Sequence, residues 1–234
     1  MVNSPLPPAR RRFRGVHPEQ RVAQRRQKLL EAGLSAFGTR GFHAAGVRDI
    51  CALAKLTERY FYESFKNREA LFDAVHESEA KKIEAAMVHA LLEAPREAKQ
   101  LTRAGLRAVL KRFQEDPRAA RVLLIEVIGS STTHTAFATS QTFAKLIELM
   151  ALELYPNVTK MGVDPGMVAN GLYGSTVYIA MRWTLGGFQE SLERVVEHCA
   201  LFYDSLLLEM AERESVAPPP LPSPNEKRKA RRAT

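Results

Sequence analysis

LTERYFYESFKNREAL, residues 56–71, crowds Tyr60, Phe61, Tyr62 and Phe65 into six positions and follows them with Lys66 and Arg68. A helix turns about 100° per residue, so from Thr57 the rings of Phe61 and Phe65 point together, at about 40° and 80°. These two anchor the segment to a core. Arg59, Tyr60, Glu63 and Ser64 fall on the opposite face and Tyr62 on the flank, leaving two tyrosine hydroxyls pointing outward. A phosphate oxygen is a good partner for a tyrosine hydroxyl, and the ring packs on sugar or a thymine methyl.

The neighbouring sequence builds helices around this segment. Over 18–40, Pro18 suits a first helical turn, Val22, Leu29, Leu30, Leu34 and Phe37 form an apolar stripe, and Gly41 is a natural C-cap. A short helix over 47–54 follows Gly46 and buries Val47 and Ile50 with Ala54 or Leu53. Thr57 has the side chain to cap a helix over 58–65, and Asn67 to cap one over 68–92, which ends before Pro95. Two short helices joined by Lys55, Leu56 and Thr57 make a helix-turn-helix, whose second member lies in the major groove of DNA.

Further helices are expected over 97–115, 117–129, 134–155, 165–186 and 190–213, with no period-2 stretches between them. The fold class is all-α, about nine helices. Residues 1–17, with PLPP and RRRFR, and 215–234, a proline stretch ending in a basic patch, are expected to be disordered tails. Between them lie a helix-turn-helix domain, 18–75, and a helical body, 76–214.

Charge separates the same segments. Residues 1–75 hold 14 Lys and Arg against 7 Asp and Glu, a net +7; residues 76–214 are at −3 and 215–234 at +4. The basicity therefore sits in the first third and the tail, which points to a polyanion-binding module on a mildly acidic helical body. Cys51 and Cys199 lie far apart and read as reduced packing thiols. GLYGSTVYIAMRWTLGG, 171–187, falls short of the ~20 residues a membrane span needs and carries Arg182. With no signal-type apolar run behind the Arg-rich start, a soluble cytoplasmic protein is expected. His17, His43, His76, His89, His134 and His198 show no metal-binding spacing, and no phosphate loop or nucleophile elbow is present, so neither a cofactor nor catalysis is expected.

The run from Arg25 to Phe72 closely resembles the DNA-binding domain of the TetR family of bacterial transcriptional regulators. LLEAGLSAFGTRGF (29–42), VRDICALA (47–54) and LTERYFYESFKNREALF (56–72) carry the resemblance, the last with the aromatic-Tyr-x-x-Phe block that the family follows with a helix-starting cation. The chain departs from the pattern at Ala45-Gly46, where many members have Thr-Thr, at Lys55, where the turn is usually Gly, and at Arg59-Tyr60, where Gly-Thr is frequent. The resemblance implies that Arg48, Thr57, Glu58, Arg59, Tyr60, Tyr62, Ser64, Lys66 and Arg68 face double-stranded DNA. Arg59 is placed for a bidentate guanine contact, Glu58 for a cytosine amine, and Tyr62 and Arg68 for phosphates. The basic arm at Arg10, Arg11, Arg12 and Arg14 reads equally as an arm for a neighbouring minor groove or as a solubilising tail.

For the body, the resemblance implies a small-molecule effector inside a helical bundle and a homodimer built on the last two helices. Leu192, Val195, Val196, Cys199, Phe202, Tyr203, Leu206 and Leu207 give the final helix a stripe wide enough for such an interface. Gly171, Gly174, Ser175 and Ala180 would allow close approach. Phe113, Phe137, Phe143, Leu146, Met150, Tyr173, Val177, Tyr178 and Met181 are the expected effector-binding residues, with Arg182 or His134 as polar anchors. Their apolar character points to a hydrophobic or amphipathic ligand. The implied function is a dimeric repressor released from a palindromic operator by that ligand; the alternative is a low-specificity structural DNA-binding protein without an effector.

Overall fold

The computed structural model describes residues 18–129, 133–156 and 158–216, without side-chain detail at a few positions inside helices. The basic arm, residues 217–234 and the side chain of His134 lie outside the described residues. All the regular structure in them is helical: α1 (Pro18–Arg40), α2 (Val47–Ala54), α3 (Glu58–Ser64), α4 (Arg68–Glu93), α5 (Ala98–Glu115), α6 (Pro117–Arg121), α7 (Val127–Gly129), α8 (Thr133–Leu154), α9 (Pro165–Leu185) and α10 (Leu192–Val216). The expected helix over 117–129 is interrupted by a π-helical turn, Val122–Glu126, between α6 and α7. A short 3-10 turn, Val158–Met161, precedes α9. The chain forms two compact units, divided within α4 between Val75 and His76.

The amino-terminal unit is organised around aromatic rings. Phe37, Phe42 and Phe72 pack with centroids 5.0–5.8 Å apart, alongside fully buried Leu29, Ile50 and Phe61. Gly33 lets α1 approach α4: a Cβ there would meet Val75 Cγ2 at 3.0 Å and Leu71 Cδ2 at 3.1 Å. Val22, expected in the core, is exposed, because α1 is covered only from about Leu29 onward; of the alternatives Ala54 and Leu53, Ala54 takes the inward position of α2.

Helix ends follow local chemistry, with two exceptions. Asn67 caps α4, its Oδ1 accepting from Ala70 N–H at 2.8 Å. Thr57 occupies the N-cap position of α3, but its side chain makes no capping hydrogen bond. At α2, where many family members have a Thr pair, Gly46 has no side chain to cap the first turn, and the Asp49 carboxylate accepts only from the Gly46 N–H, at 3.2 Å.

The second unit packs α5, the α6–π–α7 segment, α9 and α10 around Leu106, Leu110, Phe113, Trp183, Val196 and Cys199. Arg103 on α5 forks onto Glu197 and Asp204 of α10, each with an N–O distance of 2.9 Å, and Arg107 pairs with Glu193 at 2.6 Å. These pairs set the register of the two helices at the rim of the core. The Arg107 guanidinium holds the Glu193 carboxyl below its ordinary range.

Lys55, between α2 and α3, has φ 54° and ψ 44°, the left-handed region in which a Cβ crowds the following carbonyl. The tight turn needs this geometry so that Leu56 N–H can reach Cys51 O at 3.0 Å. Lys55→Gly is expected to raise the unfolding free energy by about 0.5–1 kcal/mol, the relief of strain exceeding the added entropy of the unfolded chain. Equilibrium urea unfolding followed by circular dichroism reads this directly, and an unchanged or lower midpoint would show that the turn is unstrained.

Candidate functional site

The helix-turn-helix presents its predicted residues unevenly. Phe61 and Phe65 are buried, as their spacing required. Tyr62 stands out at 57% exposure, its ring edge-on to Phe61 at 5.3 Å. Tyr60 differs from the expectation of a free outward ring. The Arg25 guanidinium of α1 lies 4.5 Å over it, and Arg25 also approaches Glu63 at 3.8 Å. Arg26 covers Phe65 at 4.3 Å and donates to Ser64 O at 3.4 Å. Two consecutive arginines of α1 thus clamp α3. Sequence reasoning missed them because their partners lie more than 30 residues away.

The base-reading candidates are exposed and paired with acids on the same surface. Arg48, 90% exposed, donates from Nε to Glu58 Oε1 at 3.1 Å, joining the first turns of α2 and α3. Arg59, 84% exposed, does the same to Glu63 one turn along. Exposed pairs of this kind contribute ~0.2–1 kcal/mol and are readily exchanged for another anion. Thr57 and Lys66 are exposed beside them. This face offers cations, hydroxyls and the amino-terminal end of α3 to a polyanion.

Arg68 has a second commitment. Its guanidinium donates to the carbonyls of His43 (3.4 Å) and Ala45 (3.5 Å), lies 4.3 Å over the Phe42 ring, and its side chain is only 26% exposed. It ties the α1–α2 connection to the start of α4.

Wholly within the second unit is an apolar cavity of about 770 Å³. Phe113, Phe137, Phe143, Met150, Tyr173, Val177, Tyr178 and Met181 line it, with further walls from α4 (Ile83, Met87) and α10 (Tyr203, Leu206). Leu146 does not. It lines a small separate depression with Gln141, Thr142 and Lys145, because Phe143, Ile147, Met150 and Leu154 form the inward stripe of α8 and Leu146 sits about 100° away from Ile147. Arg182 is exposed and takes no part in the lining. Tyr203, expected at an interface, lines the cavity instead. Burial pushes its phenol up to about 12, partly opposed by its hydrogen bond to Thr176. Burial also raises Tyr173.

The stripe on α10 divides. Val195, Val196 and Cys199 are consumed by the unit's own core and Tyr203, Leu206 and Leu207 line the cavity, whereas Phe202 is exposed, as are Leu201 and Leu208, which the expected stripe did not include. On α9, Met167, Tyr178 and Leu185 are exposed, a Cβ at Gly171 or Gly174 would meet nothing within 4 Å, and Ala180 is buried. Cys51 and Cys199 are both free and buried. Among the described residues no helix is long and apolar enough to cross a membrane, and no acid, His and Cys cluster has metal-holding geometry.

Residues 29–75 match the model of the bacterial regulatory proteins of the tetR family. The amino-terminal domain belongs to the TetR family. A comparison with curated proteins finds no match. Among solved structures, the chain is similar to the fatty acid degradation regulator FadR from Bacillus halodurans, with 15% identity, 76% of this chain and 93% of that one covered, and a TM-score of 0.66. A putative transcriptional regulator from Pseudomonas aeruginosa PAO1 gives 22% identity, 83% and 94% coverage and a TM-score of 0.66. FadR from Bacillus subtilis, solved in complex with stearoyl-CoA, gives 16% identity, 74% and 95% coverage and 0.64. These likenesses extend the TetR-like fold over both units.

The double role of Arg68 sets an expectation for stability. Arg68→Ala should lower the unfolding free energy by about 1–2 kcal/mol, since two carbonyls lose a charged donor and Phe42 loses its cover. Arg68→Lys should recover little, because an ammonium cannot fork between two carbonyls and lie flat on a ring. Unaltered denaturation midpoints for both variants would assign Arg68 to the surface alone.

Proposed function

We propose that this TetR-family regulator binds a palindromic operator as a homodimer and is released from it when a small hydrophobic or amphipathic molecule enters the cavity of the second unit. The observation that carries the reading is the pairing, in one chain, of a TetR-type reading surface with a separate, largely apolar cavity. On DNA, Arg48 and Arg59 exchange Glu58 and Glu63 for base edges or phosphates. Tyr62 and Lys66 hold the backbone, and the exposed part of Arg68 adds positive potential. The exposed apolar faces of α9 and α10 supply the surface for a second copy. Ligand binding shifts the dimer toward an arrangement in which the two reading helices no longer match successive major grooves.

Selection of bound sites from a random duplex library at physiological salt tests the reading. Enrichment of a palindrome with half-sites about one helical turn apart supports it. Uniform, salt-sensitive binding with no enriched motif favours a low-specificity structural protein instead.

Two substitutions separate base reading from backbone holding. Arg59→Ala should cost roughly 1–3 kcal/mol on the selected site and much less on random duplex, whereas Tyr62→Phe should weaken both alike. Equal losses on both duplexes for Arg59→Ala would remove Arg59 from base recognition.

A further inference from the structure

The chemistry of the cavity wall narrows what it can hold. Among the described residues, the lining contains no Lys, Arg, Asp or Glu, and His76 is its one side chain able to carry a positive charge. A carboxylate or phosphate taken inside would lose its water with no arginine or lysine to replace it.

The polar groups that are present gather on one wall. Tyr173 and Thr176 lie three residues apart on α9, so their side chains are neighbours on one helix face. Tyr203 of α10 joins them, its Oη 3.2 Å from Thr176 Oγ1. Thr176 Oγ1 also lies 3.0 Å from the Leu172 carbonyl, to which it donates. The Tyr173 ring is fixed by stacking on Phe143, with centroids 6.2 Å apart and planes 16° from parallel. Burial raises both tyrosines above the ordinary phenol range, which favours their neutral hydroxyls.

Around this cluster the wall is long and apolar. The lining residues of α4 alone run from His76 to Leu91, about 22 Å of helix. They continue along α9 from Pro165 to Met181. That is room for an extended alkyl chain.

We infer that the cavity takes an uncharged, elongated apolar molecule carrying one hydroxyl, which docks on Tyr173, Thr176 and Tyr203. With the Thr176 proton given to Leu172, Tyr203 donates to Thr176 Oγ1 and has only lone pairs left for a ligand, so an alcohol can donate to Tyr203 and accept from Tyr173. A carboxylate can only accept and brings an uncompensated charge. The inference deepens the effector reading above, on which its consequence at DNA rests, whereas occupancy is measured on the protein alone.

The test is displacement of Nile red, a neutral fluorescent probe, from the full-length protein by 1-dodecanol and by dodecanoate at pH 8. Dodecanol is expected to bind at least tenfold more tightly than dodecanoate. Tyr203→Phe and Tyr173→Phe, which leave the rings in place, should each weaken dodecanol by about three- to tenfold and leave dodecanoate unmoved. Dodecanoate binding as tightly as dodecanol would overturn the inference, and loss of that binding in His76→Gln would identify a carboxylate site in its place. Dodecanol affinity unchanged in both tyrosine variants, or no probe taken up at all, would also overturn it. If dodecanol binds as expected while DNA affinity stays unchanged at saturation, the ligand class stands and the effector reading fails.

Discussion

A helix of seven residues does not stand alone in water, and α3 has only seven. Its conformation is held by tertiary contact: Phe61 and Phe65 are buried, and Arg25 and Arg26 lie across Tyr60 and Phe65 from α1. The reading surface exists because the opposite face is anchored this firmly. The same anchoring explains why so much aromatic surface is used on so short an element, since each fully buried ring contributes about 1.5–3 kcal/mol toward holding it. It also explains the left-handed Lys55. The turn must close in three residues for α3 to meet α1, and that geometric demand outweighs a local strain of about 1 kcal/mol.

The second unit resolves the opposite problem, keeping space open in a helical core. Its packed part, around Leu110, Trp183 and Val196, is pinned at the rim by the Arg103 and Arg107 pairs, which fix α5 against α10. Across the π-helical turn at Val122–Glu126, Leu123, Leu124, Val127 and Ile128 all reach the cavity wall.

Most of the helical framework was legible in the sequence because it rests on local signals: Pro18 and Pro117 at helix starts, Asn67 as a cap, Gly41 and Gly186 at helix ends. Face assignments were legible where one side of a helix is buried, as for Phe61 against Tyr62. They failed where apolar residues surround a helix. On α10, Cys199 and Phe202 belong to one broad stripe in sequence, yet one is core and the other exposed. Leu146 looked equivalent to Phe143 and Met150 for the same reason. Nothing local announces Arg25 over Tyr60 or the π turn, because each is imposed by residues distant in the chain or by the fold around it, whereas the positive φ of Lys55 was signalled by the Gly usual at that turn.

The shortness of α3 also bears on the exposed surface of the other unit. Seven residues rise only about 10 Å, enough to meet a few base pairs in one groove. Discrimination against an excess of competing sites requires more base contacts than one such helix makes. A second copy doubles the contacts and adds the spacing between half-sites as a further criterion. Leu201, Phe202 and Leu208 on α10, with Met167, Tyr178 and Leu185 on α9, are the kind of apolar side chains that a monomer seldom leaves in water together. Gly171 and Gly174, with open space where side chains would be, let a facing helix come close. A two-fold axis through that face pairs each patch with itself, so the proposed dimer needs no second surface. It also gives each half of a palindrome an identical reading helix.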